Sequence, residues 1–215
     1  MIQGSDEWFA ARLGRVTASR VADVVARTKS GFGASRSTYM SELIVERLTD
    51  QRAESYTNSA MIWGTEKEPE ARDAYAWRYD CEVMETGFVL HKTIAMSGAS
   101  PDGLVSNLGL VEIKCPATAT HIETLLSGSV PAKYVMQMQW QMACIEGRHW
   151  CDFVSYDPRL PDAMRLFVKR LQRDEAMIAD LEKQVIAFLE ELDAKLCALR
   201  SAYDLPTVLK ESVNV

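Results

Sequence analysis

Asp102, Glu112 and Lys114 are the residues of this chain whose types and spacing could do chemistry. Glu112 and Lys114 lie two apart in GLVEIK, a run that reads as a strand, so both side chains leave the same face. Asp102 precedes them in SPDG, on what reads as the partner strand of a hairpin. Register decides whether the carboxylates meet. If the loop spans 105–109, Asp102 stands opposite Glu112; a four-residue loop pairs Gly103 with Glu112 and turns Asp102 away. Pro101, which cannot donate to a ladder, allows an irregular strand here. In the first register two carboxylates converge on one hard cation. Magnesium suits such a site, because it takes few protein oxygens and completes its shell with substrate phosphate. A lysine beside it can hold or deprotonate an attacking water and offset charge on the phosphate. The bland alternative is a solvated strand face. Against it, LVEIK is otherwise apolar and reads as largely buried, where carboxylates and amines are costly unless paired or metal-bound.

The elements that must position these residues follow from the rest of the chain. Ser5 can cap a short helix through about Leu13, with Gly14 suited to its end. Thr17 or Ser19 can cap a second helix through VADVVA. Residues 28–37, TKSGFGASRS, read as a mobile basic loop. TYMSELIVERL reads as a third helix, with Tyr39, Leu43, Val45 or Glu46, and Leu48 at helical spacing. Residues 60–79 read as a fourth, interrupted near Gly64 and Pro69. The period then changes. CEVMETGFVLHKT alternates as a strand does, and SGASPDGLVSNLGLVEIKCP reads as two apolar strands around a turn-rich SNLG. A helix over about 132–145, the strand HWCDFVSYD and a long helical element over about 162–203 follow. Apolar positions from Met164 to Leu199 step by three and four, with a bend or break expected at Asp174 and Glu175.

The expectation is a single α/β domain over residues 1–215, with one central mixed β-sheet flanked by helices, a helical N-terminal part and a C-terminal helical extension. In that extension Val185, Phe188, Leu192 and Leu196 form an apolar seam flanked by Glu190, Glu191 and Lys195. It either covers the core or joins a subunit or partner. No apolar run approaches the ~20 residues of a membrane span. The N-terminal stretch lacks a signal-peptide pattern, so a cytoplasmic location and no membrane partner are expected. Cys81, Cys115, Cys144, Cys151 and Cys197 are scattered without a CxxC pair, which suggests neither a zinc site nor a disulfide framework. The net charge of -6 argues against nucleic acid at long range. Residues 1–40 nevertheless carry Arg12, Arg15, Arg20, Arg27, Lys29 and Arg36 against Asp6, Glu7 and Asp23. Phosphate binding needs only such a local basic surface; the alternative is a solvated helix face.

SPDG followed by LVEIKCP resembles the restriction-endonuclease-like PD-(D/E)xK nuclease core, and the surrounding chain resembles its lambda-exonuclease branch, the YqaJ-type viral recombinases. WFAARLGRVTAS is similar to that family's N-terminal Trp…Arg-Leu-Gly…Thr-Ala-Ser segment. MIWGTEKEPEAR is similar to its Trp-Gly…Glu…Ala-Arg helix, and YVMQMQWQM to its Tyr…Gln-x-Gln helix. These stand in the family's order with comparable spacing, over most of residues 5–157. The tail after about Asp162 matches only in being helical.

The resemblance implies roles. Asp102 and Glu112 would be metal ligands, with the backbone carbonyl of Ile113 as a third. Lys114 and Gln137 would position and activate the water. Glu68 would reach the same site from its helix, as a ligand of a second metal or a water-mediated neighbour. Tyr134, Gln137 and Gln141 share a helical face, which read alone would be ordinary solvent exposure. Arg12, Thr17, Ser19 and Ser100 would receive the 5′-terminal phosphate of a DNA end. A helix N-terminus at Thr17–Ser19 favours an anion, Arg12 can add a bidentate contact, and simple capping is the alternative. The resemblance further implies Mg²⁺, with Mn²⁺ as substitute, and a 5′→3′ exonuclease acting on double-stranded DNA ends. Such an enzyme would release 5′-mononucleotides and leave 3′ overhangs for a single-strand-annealing recombinase. It would be a ring-shaped homotrimer in a phage or prophage setting. Two rivals remain. One is another enzyme of the same core, a site-specific or structure-specific endonuclease or an iron–sulfur exonuclease; the scattered cysteines oppose the last. The other is a non-catalytic DNA-end-binding module, which the intact Asp102, Glu112 and Lys114 oppose.

Overall fold

The computed structural model describes residues 1–29, 31–53 and 59–205. In chain order the elements are α1 (Asp6–Arg12), β1 (Val16–Thr17), α2 (Val21–Val24), β2 (Arg27–Thr28), β3 (Gly31–Phe32), α3 (Ala34–Thr49), α4 (Ser59–Tyr79), β4 (Val83–Met84), β5 (Val89–Leu90), β6 (Ser97–Ala99), β7 (Gly103–Val105) and β8 (Gly109–Lys114). There follow α5 (Thr118–Ser127), α6 (Ala132–Cys144), β9 (Trp150–Tyr156), α7 (Asp162–Arg165), β10 (Leu166–Gln172) and α8 (Glu175–Ala202). None of the described helices is long and apolar enough to cross a membrane.

The α/β class is as expected, but the single sheet is divided. A five-stranded sheet runs β10-β9-β8-β7-β4 and a three-stranded one β1-β6-β5, with β2-β3 a separate hairpin. The division falls inside the alternating run at 81–93: β4 pairs with β7, whereas β5 pairs with β6. Gly98 permits the second pairing, because a Cβ there would stand 2.5 Å from the Val89 carbonyl oxygen.

Strand β8 sits between two helical layers. Val111 and Ile113 join Ala71 and Tyr75 of α4, while Leu110, on the opposite face, joins Met138 and Met142 of α6. Alternation therefore sends Glu112 and Lys114 toward α6. A third cluster holds Val16, Val21, Tyr39, Trp140, Val185 and Phe188. In α8, Val185, Phe188 and Leu192 are fully buried there and Leu196 is half-buried, so the seam covers the chain's own core.

Several local expectations are corrected by tertiary contacts. The second helix is only a 3-10 turn over Ala18–Arg20 running into the four-residue α2. The loop expected at 28–37 contains the β2-β3 hairpin and the first turn of α3; Ser30 lies outside the described residues. Within α3, Tyr39, Met40 and Leu43 are buried while Val45 and Leu48 are exposed. Helix α4 continues through Gly64 and Pro69. Proline inside a helix costs about 3 kcal/mol, but burial of Ala71 and Tyr75 beyond it holds the helix, and the Tyr75 hydroxyl donates to buried Asp152 at 2.7 Å. Residues 166–172 form a strand, not a helix: β10 runs antiparallel along β9, and Arg170 donates both Nε and Nη2 to Asp152 at 2.8 Å. The break expected near Asp174 is present, with Asp174 accepting from the Met177 N–H as the N-cap of α8. Helix α5 was not expected. It is anchored by polar contacts of buried His121, to the Ser155 hydroxyl at 2.7 Å and the Met164 carbonyl at 2.8 Å, while Ile122 and Leu126 are exposed.

Asp157, just beyond β9, gives a pH-dependent contribution to stability. Burial alone would raise its pKa, but hydrogen bonds from Arg159 and Thr118 outweigh burial and bring it from 3.8 to about 2. The Arg159 backbone N–H, Nε and Nη2 all reach the carboxylate, at 3.0, 2.7 and 2.9 Å. A folded-state pKa below the unfolded one stabilises above about 4, and that contribution is lost as pH falls through about 2. Asp157→Asn is therefore expected to lower the denaturation midpoint at pH 7. The gap from wild type should close steadily between pH 4 and pH 2, as read by urea titrations across that range. A gap independent of pH would show that the ionised carboxylate is not the stabilising species.

Candidate active site

The β7-β8 hairpin pairs Gly103 with Val111, Leu104 with Leu110 and Val105 with Gly109. Continuing that register places Asp102 opposite Glu112, the first of the two registers the sequence allowed. Asp102 is buried, and its Oδ2 accepts the Ile113 N–H at 2.6 Å. Burial, then the nearby Glu112 charge, push its carboxyl well above the usual carboxylate range.

Glu112 is fully buried and almost encircled by donors. Gln137 Nε2 donates to Oε1 at 2.6 Å, Gln141 Nε2 donates to Oε2 at 2.5 Å, and the Lys114 ammonium also pairs with Oε1. Burial would lower the Lys114 pKa, but Glu112 and Asp102 raise it above its ordinary range. The Tyr134 ring lies 5.5 Å from Lys114 Nζ. The α6 face carrying Tyr134, Gln137 and Gln141 thus turns inward, contrary to the solvent-exposed alternative. Glu68 lies close enough to feel Lys114 and Glu112, but its carboxylate is held by Arg72 at 2.7 Å. Burial raises its pKa and Arg72 lowers it, burial prevailing.

The donor set suits a hard cation in one respect and limits it in another. Asp102 and Glu112 are oxygen donors, and burial first, with the Glu112 charge second, makes the ionised form of Asp102 costly, a cost that a cation would relieve. Among the described residues, however, no three His, Cys, Asp or Glu side chains cluster to hold an ion between them. Any cation here would draw on backbone carbonyl, water and phosphate oxygens, which is how Mg²⁺ is ordinarily bound.

Arg12, Thr17 and Ser19 line a cavity of about 510 Å³, together with Trp8, Tyr39 and Arg52. Ser100 is tied to its wall: its Oγ accepts from Trp8 Nε1 at 2.9 Å and from Arg12 Nη1 at 3.3 Å. The Arg12 guanidinium stacks 4.0 Å over the Trp8 ring. Burial brings its pKa down to about 10, with a further push from the Arg52 charge. Thr17 stands at a helix N-terminus as expected, as the N-cap of the 3-10 turn, with no side-chain cap hydrogen bond. The Thr17 N–H donates to the Tyr39 hydroxyl at 3.1 Å, and the Thr17 and Ser19 hydroxyls pair at 3.3 Å. Hydroxyls and guanidinium, rather than bare backbone groups at Thr17, are what this pocket presents.

Gln141, Trp8 and Arg72 belong to these sites and were not among the expected residues. Gln141 left a trace one helical turn from Gln137, and Trp8 and Arg72 stand inside the motifs that carry the family resemblance, though without a role assigned to them. Trp8 and Arg72 reach the sites through tertiary contacts that no local spacing encodes.

The model of the YqaJ-like viral recombinase domain matches residues 7–148. An alkaline exonuclease, LHK-Exo, from Laribacter hongkongensis is 55% identical, with a TM-score of 0.86, covering 93% of this chain and 98% of that one. LHK-Exo in complex with dAMP gives the same identity and coverage and a TM-score of 0.87. A phage related exonuclease from Haemophilus somnus 129PT shares the fold at 16% identity, with a TM-score of 0.69 over 86% of this chain and 96% of that one. No curated protein matches the chain.

Proposed function

Since the chain belongs to the YqaJ-like viral recombinase domain family, we propose that it is a DNA exonuclease degrading double-stranded ends in the 5′→3′ direction. The observation that carries the reading is the pair of buried carboxylates, Asp102 and Glu112, facing each other beside Lys114. A structure 55% identical to it is an alkaline exonuclease. Asp102, Glu112 and the Ile113 carbonyl would hold a divalent cation, Mg²⁺ or Mn²⁺ in its place, which would supply Lewis-acid stabilisation of charge on the phosphate. Lys114 offers ammonium N–H groups to the attacking water or a phosphate oxygen. Gln137 fixes Glu112 and, with Lys114, would position that water. Glu68 adds an acceptor at the rim. Together these groups favour attack in line with departure of the 3′ oxygen, in a site mostly dry and already organised.

Arg12, Thr17, Ser19 and Ser100 would take the 5′ phosphate. Ser100 stands two residues before Asp102, so an end held there lies within a nucleotide of the scissile bond. Release of 5′-mononucleotides follows, and the similar exonuclease is solved with dAMP, itself a mononucleotide. The 3′ overhangs left behind suit a single-strand-annealing recombinase. A ring-shaped homotrimer in the bacterial cytoplasm, serving a phage or prophage, completes the proposal. A ring would need basic groups only along its channel, which reconciles DNA with a net charge of -6.

Linear duplexes with 5′-phosphate and 5′-hydroxyl ends, and closed circles, test this with Mg²⁺ present or chelated. The phosphorylated duplex should be digested faster, to mononucleotides, and only with Mg²⁺. Arg12→Ala should erase most of the end preference, about tenfold to a hundredfold for a charge-assisted contact worth ~1.5–3 kcal/mol. Equal rates on both ends would refute the pocket. Rapid nicking of circles would establish the endonuclease instead.

A further inference from the structure

The chain passes between its two larger sheets twice. It leaves β4 for β5 through residues 85–88 and returns from β6 to β7 through residues 100–102. The return carries Ser100, Pro101 and Asp102 in succession, and each is held by a different group. Ser100 is bound by Trp8 and Arg12 of the end pocket, and Asp102 by the Ile113 N–H of β8. Between them the Pro101 carbonyl accepts from Gln3 Nε2 at 2.8 Å, and the same nitrogen donates to the Thr86 carbonyl of the outward crossing at 3.2 Å. We infer that Gln3 is a positioning residue: by tying the two crossings together it fixes the spacing between the end pocket at Ser100 and the Asp102 carboxylate. This rests on the exonuclease reading above, with its pocket for the 5′ phosphate.

An amide nitrogen has two hydrogens to donate, and Gln3 spends one on each crossing. Residues 100–102 lie between the ends of β6 and β7, and Pro101 has no N–H of its own, so a side chain supplies what a ladder does elsewhere. Apolar burial contributes little to holding the segment that carries Gln3, because Met1 and Ile2 are exposed. The outward crossing is nevertheless shaped to receive it. A Cβ on Gly87, next to Thr86, would stand 2.8 Å from the Met1 carbonyl oxygen. Ser100 needs such a tie. Its partners Trp8 and Arg12 belong to α1, which joins neither ladder, so pocket and helix are free to shift together relative to β8. Gln3, three residues before α1, pins them to the crossing. The terminal phosphate and the scissile bond are gripped at the two ends of this crossing, and a misplacement of about 1 Å between such points can cost about a hundredfold in rate.

The test measures kcat and KM of the full chain with Mg²⁺, on duplexes with 5′-phosphate and 5′-hydroxyl ends. The proteins are wild type, Gln3→Ala and Gln3→Glu. Alanine removes the amide. Glutamate keeps its length but turns oxygens toward both carbonyls, and it guards against an alanine variant that fails to fold. On the phosphorylated duplex kcat should fall about tenfold or more in both variants, with KM unchanged because Arg12, Thr17 and Ser19 are intact. On the hydroxyl duplex, which does not use the pocket, kcat should stay within about twofold of wild type. A general loss of structure would lower both substrates alike, and that result overturns the inference. So does wild-type kcat on phosphorylated ends in either folded variant, or a loss confined to KM. Each of these leaves the nuclease reading intact. A wild-type protein that cuts neither duplex, or cuts both equally, overturns the reading and the inference together.

Discussion

Asp102→Ala, Glu112→Gln and Lys114→Ala are each expected to cut hydrolysis of linear duplex by at least about 10²–10³-fold, the usual cost of removing one organised charge or donor from a reacting phosphate. Their secondary effects should differ. The two carboxylate variants should lose bound metal, whereas Lys114→Ala should retain it. Stability should also separate them. The sequence suggests that alanine at any of the three leaves folding intact. The structure corrects this for Glu112, which is fully buried with Gln137, Gln141 and Lys114 all directed at it. Glu112→Ala would strand a buried ammonium and two amides, and breaking a buried pair in this way typically costs about 3–5 kcal/mol. The isosteric glutamine is therefore the cleaner probe of chemistry. Nuclease assays run beside denaturant titrations distinguish the two effects, and full activity in any one of the three variants would remove that residue from the mechanism.

Removal of the chain after Lys183 is expected to leave a protein that does not fold. Val185, Phe188 and Leu192 have no exposed surface and pack in one cluster with Val16, Val21 and Tyr39. Each such side chain is worth about 1.5–3 kcal/mol, against a total stability of about 5–15 kcal/mol for a native protein. Phe188→Ala is the graded version. It removes a ring stacked 5.9 Å from that of Tyr39 and should cost about 3–5 kcal/mol, lowering the melting temperature by about 2–4 °C per kcal/mol in a chain of this size. A soluble truncated protein with a native far-ultraviolet spectrum and a cooperative transition would contradict this, and would return the helix to the role of a docking element.

The strand carrying Glu112 and Lys114 was legible because its pattern is local. Two residues set two apart on an apolar strand, and a carboxylate across a hairpin, are constraints that spacing records directly. The seam of α8 was legible as a pattern, though its partner surface was not, since the same three-four spacing serves a core or an interface. What spacing missed has identifiable causes. The segment around Val168 and Leu171 carries helical periodicity, yet Asp152 on β9 captures Arg170 and the segment becomes a strand. Helix α5 is fixed through His121, a polar residue where pattern reading looks for apolar ones. Thr17 keeps the N-cap position but makes no side-chain cap hydrogen bond, its hydroxyl pairing with Ser19 and its N–H with a tyrosine hydroxyl twenty-two residues away.

Strand β8 has its parallel neighbour β9 about forty residues further along the chain, and the helix that closes the core near the N-terminus comes later still. During synthesis this order has a temporal consequence. Val16, Val21 and Tyr39 leave the ribosome first and must wait, uncovered, for Val185 and Phe188. Contacts of such separation form late and slowly, and apolar surface left open in the meantime invites chaperones or aggregation. A nascent chain that has made Asp102, Glu112 and Lys114, but not yet α6, has no Gln137 or Gln141 to seat the buried glutamate, so the arrangement can assemble only after α6 has emerged and docked.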